Sequence, residues 1–126
     1  MAIYVEAVRA EIVPTGKYTA TVDRVELDGN SQYGNQIKWV FKITDGKYAG
    51  RELYAWSAYR DRATERSKLV RWYTAIMGGK PTGKFDVQRV VGKECVIVVV
   101  ERTREDGSVV SKVDDVQPYQ EPDPFE

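Results

Sequence analysis

The chain contains no histidine and only one cysteine among its 126 residues. Without histidine, the Ser-His-Asp and Cys-His nucleophile arrangements are excluded, and so is the commonest zinc ligand. A lone cysteine cannot close an internal disulfide, which sets the chain apart from small secreted scaffolds. No apolar run approaches 18 residues, so no membrane-spanning helix is expected. The opening Met1-Ala2-Ile3-Tyr4-Val5-Glu6 lacks the basic-then-apolar pattern of a signal peptide. These absences lead to the expectation of a soluble cytoplasmic domain, non-enzymatic and without cofactor, metal or membrane partner.

What is present is a balanced but unevenly placed set of charges, 19 basic against 19 acidic side chains. Asp114, Asp115, Glu121, Asp123 and Glu126 lie in the last 13 residues, with no base among them. Residues 1–113 therefore hold 19 bases and 14 acids, a net of +5. A basic body joined to an acidic end differs from a neutral protein: such an end can compete with an anionic ligand for the body, offer a peptide to partner proteins, or serve as a solubilising end without a target. Gln117 to Glu126 carries three prolines and no apolar periodicity, which reads as a disordered tail. The expected organisation is one domain over residues 1–116 and a tail over 117–126.

Alternation places a first strand after Gly16, with Tyr18, Ala20 and Val22 on one face. Val25 and Leu27 shift that parity by one residue, which predicts a bulge near Asp23-Arg24. Asp28 to Asn35 is a turn-rich loop containing Tyr33. A second strand near 36–44 turns Ile37, Trp39, Phe41 and Ile43 inward, leaving Lys38, Val40 and Lys42 outward. A third strand covers about 51–58. Between Thr64 and Met77 the period changes, and Leu69, Val70, Trp72, Tyr73, Ile76 and Met77 mark the apolar face of a helix. Asp61 or Thr64 is its expected N-cap and Gly78-Gly79 its stop. Trp72 and Tyr73 are expected in the core, and Lys68 and Arg71 on a solvated face.

Cys95 to Val100 is a continuous β-branched run that reads as a strand buried on both faces. Glu105-Asp106-Gly107-Ser108 signals a hairpin, and Val109 to Val116 a fifth strand. The order is three strands, one helix, two strands. It predicts an all-β domain with one helix, a five-stranded OB-fold-like Greek-key barrel whose helix lies between strands three and four. A generic small α+β barrel of the same content is the alternative.

Chemistry-bearing patterns are few. Gly78-Gly79-Lys80-Pro81-Thr82-Gly83-Lys84 matches a phosphate-loop spacing by letter. Phe85, however, stands where a hydroxyl must hold magnesium, and the segment follows a helix instead of opening one. A helix stop with a connector is the better reading. Cys95 sits in the most apolar strand, which suits a small buried hydrophobe better than a reactive thiol. Asp114 and Asp115 are adjacent on a strand and expected on opposite faces, a poor geometry for sharing a proton or a metal.

Aromatic and basic residues form the constellation that remains. Eleven side chains are Trp or Tyr, several of them beside Lys or Arg on the middle strands. On the third strand either parity could face inward. If Leu53, Ala55 and Ser57 line the barrel, Tyr54 and Trp56 project outward beside Lys38 and Lys42. OB-folds bind oligonucleotides across strands two and three and the flanking loops. The loops here supply Tyr33, Arg102 and Arg104; Arg51, Tyr59, Arg60 and Arg62 flank the third strand, and Lys112 lies on the fifth. Exposed rings stack on unpaired bases while cations track the phosphates.

These features resemble the single-stranded DNA-binding proteins of phages and bacteria. The likeness rests on the strand order over about residues 14–118, on the Gly16/Tyr18 opening and the Lys38-Trp39-Val40-Phe41-Lys42-Ile43 strand, and on the tail. Bacterial members end in an acidic run closed by Pro-Phe, which docks replication and repair proteins. This chain carries Asp123, Pro124, Phe125 and then Glu126. The resemblance implies binding of single-stranded DNA in replication or recombination, partner proteins on the tail, and homo-oligomer formation as an open question. RNA binding is a near neighbour, and a protein-interaction or phage accessory module is the competing class. An outward Leu53/Ala55 would favour that last class, and an outward Tyr54/Trp56 would favour nucleic acid.

Overall fold

The structure, a computed structural model, describes residues 1–6, 12–29 and 34–120. Its elements are β1 (Gly16–Asp28), β2 (Gln36–Ile43), β3 (Glu52–Ala58), α1 (Lys68–Met77), a short 3-10 turn (Val87–Val90), β4 (Glu94–Thr103) and β5 (Val109–Pro118). The strands form one sheet in the order β3-β2-β1-β4-β5, antiparallel at every pairing. β1 pairs with β4 through Gly16–Thr21 and with β2 through Ala20–Asp28. One strand thus serves two neighbours with its two halves, and the sheet coils around it. A bulge at Asp23 sharpens that bend. β3 and β5, the two ends of the sheet, come round to face each other without pairing, which gives an OB-fold-like barrel with its helix between β3 and β4.

The inward faces meet α1 in a single core. Trp39 and Phe41 stack with ring centroids 6.3 Å apart, and Trp72 of α1 meets both edge-on at 5.6 and 5.8 Å. Trp39 Nε1 donates to Ser57 Oγ at 2.8 Å, which satisfies the one buried polar side chain among the described residues. Val13, ahead of β1, is fully buried in the same core; its N–H donates to Ser111 Oγ at 2.7 Å and its carbonyl accepts from that hydroxyl at 2.8 Å.

Several details differ from the sequence expectations. The N-cap of α1 is Ser67, whose hydroxyl accepts from Val70 N–H at 3.2 Å, not Asp61 or Thr64, so the helix starts later. Its stop is as expected, with Gly78 left-handed at φ 80°. Val40 is buried although it lies on the outer face. Arg24 on β1 reaches Glu52 on β3 at 3.8 Å, and because β2 lies between those strands the guanidinium passes over Val40. Leu27 is exposed because β1 has no β4 partner beyond Thr21. The connector covers Val25, whose carbonyl accepts from Gln88 Nε2.

β4 is buried on one face only. Cys95, Ile97 and Val99 are inside, while Val96, Val98 and Val100 are half-exposed because no layer covers the outer face. A β5 bulge opposite Val98/Val99 keeps both Val113 and Val116 inward. Asp114 and Asp115 both stay out of the core, so simple alternation does not separate them. β5 also continues through Gln117 and Pro118, the latter opposite Cys95, two residues beyond the expected end of the strand.

The Trp39–Ser57 bond yields a stability prediction. Replacing Ser57 with Ala leaves a buried indole N–H without a partner, a loss of about 1–3 kcal/mol. Urea unfolding is expected to show a lower midpoint with an unchanged slope.

Candidate nucleic-acid interface

Side-chain alternation on β3 settles which groups reach solvent. Leu53, Ala55 and Ser57 point into the barrel, and Glu52, Tyr54, Trp56 and Ala58 point out. Tyr54 and Trp56 are 41% and 43% exposed, large values for rings held in a regular strand. Lys38, opposite Trp56 in the ladder, places its ammonium 4.7 Å from the Tyr54 ring centroid and 6.0 Å from that of Trp56. Such contacts hold the cation beside the rings without covering both faces.

The charges around this pair are unequal on its two sides. Toward β1, Arg24 is engaged by Asp23 at 3.0 Å, Glu26 at 3.2 Å and Glu52 at 3.8 Å. Glu26 stands opposite Lys38, and Glu52 opposite Lys42. The face therefore becomes mixed in sign there, and Lys42 lies at its acidic corner. Toward β5 the opposite holds. A groove of about 800 Å³ runs between β3 and β5, and Tyr54, Trp56, Lys68, Arg102, Arg104 and Lys112 line it.

Lys68 is the residue that sequence reasoning assigned elsewhere. It is half-buried instead of solvated, donates to the Trp56 carbonyl at 2.9 Å, and lies 4.5 Å over the Trp72 ring. Desolvation holds its ammonium below the usual lysine range, and Lys112 and Arg71 add to that effect while Asp114 and Asp115 oppose it. The i, i+4 spacing to Trp72 was the available signal, since it stacks the lysine stem on an inward ring.

The remaining sequence-predicted residues distribute as follows. Arg51 precedes β3 at the Lys42 corner, outside the groove lining. Tyr59 is 39% exposed just past β3, where its hydroxyl donates to Asp61 at 3.2 Å, and Arg60 and Arg62 follow it, both exposed. Tyr33 lies outside the described residues, as do Asp123, Pro124, Phe125 and Glu126.

Two other features carry less. Cys95 is fully buried in β4, and burial pushes its thiol up to about 12, so it is no nucleophile at neutral pH. The glycine-lysine connector after α1 packs Phe85 on Tyr73 at 4.6 Å and pairs Lys80 with Glu65 at 3.0 Å. Phe85 is thus an anchor for the connector.

The three tryptophans should separate by solvent access. Trp39 and Trp72 are buried and Trp56 is not. Acrylamide is expected to quench a distinct fraction of the native fluorescence, and Trp56→Phe to abolish that fraction without changing the far-ultraviolet spectrum.

No helix among the described residues is long and apolar enough to cross a membrane. No curated protein matches the chain. Residues 4–124, nearly all of it, match the family described as "Protein of unknown function (DUF669)", and the protein belongs to that family.

Proposed function

We propose that the protein binds single-stranded DNA, without strong sequence preference, on the outer face of β2–β3 and the basic rim of the β3–β5 groove. The observation that carries this reading is the exposed pair Tyr54 and Trp56, two residues apart on β3 with the Lys38 ammonium beside both rings. Rings at that spacing stand about 6.6 Å apart along a strand, so successive unpaired bases of an extended chain can each take one. Paired bases in a duplex present no free faces, which selects single strands.

The path of the backbone follows from charge. On the β1 side Asp23, Glu26 and Glu52 offset Arg24, Lys38 and Lys42, so that side offers phosphates no net attraction. Lys68, Arg102, Arg104 and Lys112 attract them on the other. The strand therefore runs along the groove, with Tyr59, Arg60 and Arg62 available where it passes the end of β3. RNA shares the same stacking and phosphate chemistry. The inward Leu53 and Ala55 give β3 the parity that favours nucleic acid over a protein-interaction module, for which the exposed rings would instead be interface anchors. A role in replication or recombination, with Asp123 to Glu126 offered to partner proteins, rests on the sequence of the tail.

Binding of oligothymidylate, followed by fluorescence or anisotropy, is expected to weaken with salt at a slope of about −0.7 per phosphate contacted. Arg102→Gln with Lys112→Gln should reduce that slope by about 1.4. Trp56→Ala should cost about 1–3 kcal/mol of affinity at constant salt. A salt-independent affinity, or equal binding of duplex, would refute the proposal.

A further inference from the structure

The two ends of the sheet face each other without pairing, and the ladder dictates which backbone groups are left there. Ile43 N–H donates to the Arg51 carbonyl at 2.9 Å, and Tyr59 N–H to the Asn35 carbonyl at 3.0 Å. Counting in twos between those bonds, Leu53, Ala55 and Ser57 turn their amides and carbonyls toward β2. Tyr54 and Trp56 must turn theirs the other way, toward β5. The Lys68 bond to the Trp56 carbonyl agrees with that direction. On β5, the Arg104 N–H bond to the Ser108 carbonyl at 2.8 Å starts an alternation that turns Val110 toward β4 and Ser111 toward β3.

Among the described residues, no strand pairing joins β3 to β5, and the Tyr54 and Trp56 amides have no hydrogen-bond acceptor. Backbone groups in a groove seek partners. The groove has a floor as well as walls: the buried Leu53, Ala55 and Val113 are among the residues that line it. It is therefore a slot with an apolar floor, hydrogen-bonding walls, two rings at its lip and four cations around it.

We propose that this seam is a nucleobase slot, in which at least one base of a bound single strand turns edge-first between β3 and β5 and meets the backbone groups of Tyr54, Trp56 and Ser111. The inference rests on the single-strand reading above and deepens it. An extended peptide could bond the same edges, but the four cations and two ring faces favour a polyanion with flat bases. Stacking is tolerant of base identity, whereas hydrogen bonds at fixed donors and acceptors are not, because a mismatched base leaves buried groups unpaired. One position of the bound strand therefore carries a base preference and its neighbours do not.

Two measurements test the slot. Amide exchange of the full chain, free and saturated with oligothymidylate or oligoadenylate, is expected to slow at Tyr54 and Trp56 by at least tenfold with the preferred oligonucleotide. Val110→Tyr, at a half-exposed position on the groove lip, is expected to fill the slot and weaken binding at least tenfold. Binding by the wild type with unchanged exchange at both amides overturns the slot and leaves surface stacking standing. So does a folded Val110→Tyr protein that binds like the wild type. Absence of binding by the wild type to either oligonucleotide overturns both readings, and if Val110→Tyr does not fold, the exchange measurement alone decides.

Discussion

The packing of Trp39, Phe41 and Trp72 orients everything that faces solvent in this protein. Three large rings within 5.6–6.3 Å of one another cannot be accommodated outside the barrel, so β2 has one admissible parity. The Trp39–Ser57 hydrogen bond extends that decision to β3. A one-residue slip of β3 would bury Tyr54 and Trp56 and expose Leu53 and Ala55, while leaving the indole N–H unpaired. The exposed aromatic pair is thus a consequence of the core. The same ring, Trp72, holds Lys68 in place by its face, which ties the helix N-terminus to the Trp56 carbonyl.

The incomplete closure between β3 and β5 is the second organising feature. β1 spends its two halves on different partners, so the sheet coils far enough to bring its ends together but not to pair them. Parallel directions follow from four antiparallel steps. The resulting groove collects cations from three separate elements: Lys68 from α1, Arg102 and Arg104 from the end of β4 and its turn, and Lys112 from β5. Their acidic counterparts on the other side of the rings are already committed to Arg24 or stand opposite lysines. An anion approaching the aromatic pair meets an electrostatic gradient across β3 instead of a uniformly basic surface.

Much of this was legible in the residues. The alternation Ile37, Trp39, Phe41, Ile43 and the period change at the helix place the four largest fully buried side chains, Trp39, Trp72, Phe41 and Ile43, and the parity break at Asp23 marks a real bulge. The order of elements was enough for the barrel. What alternation could not supply was the effect of neighbours. Val40 is buried because a side chain from another strand crosses it, and Leu27 is exposed because a partner strand has ended. For β3, the decisive partner of Ser57 lies 18 residues away on Trp39, which no local pattern contains. The position of Lys68 escapes local pattern for the same reason: its environment is made by β3, α1 and β5 together. The groove itself is a product of strand curvature, so its cations looked scattered along the chain.

Photo-crosslinking of the wild-type protein to a single-stranded oligonucleotide carrying 5-bromouracil, with mapping of the attached peptides, tests the central claim most directly. The account predicts attachment at Tyr54 or Trp56, with secondary attachment on the segment 102–112 and none on the connector after Gly78. Attachment confined to that connector, or to the outer face of β4, would contradict it.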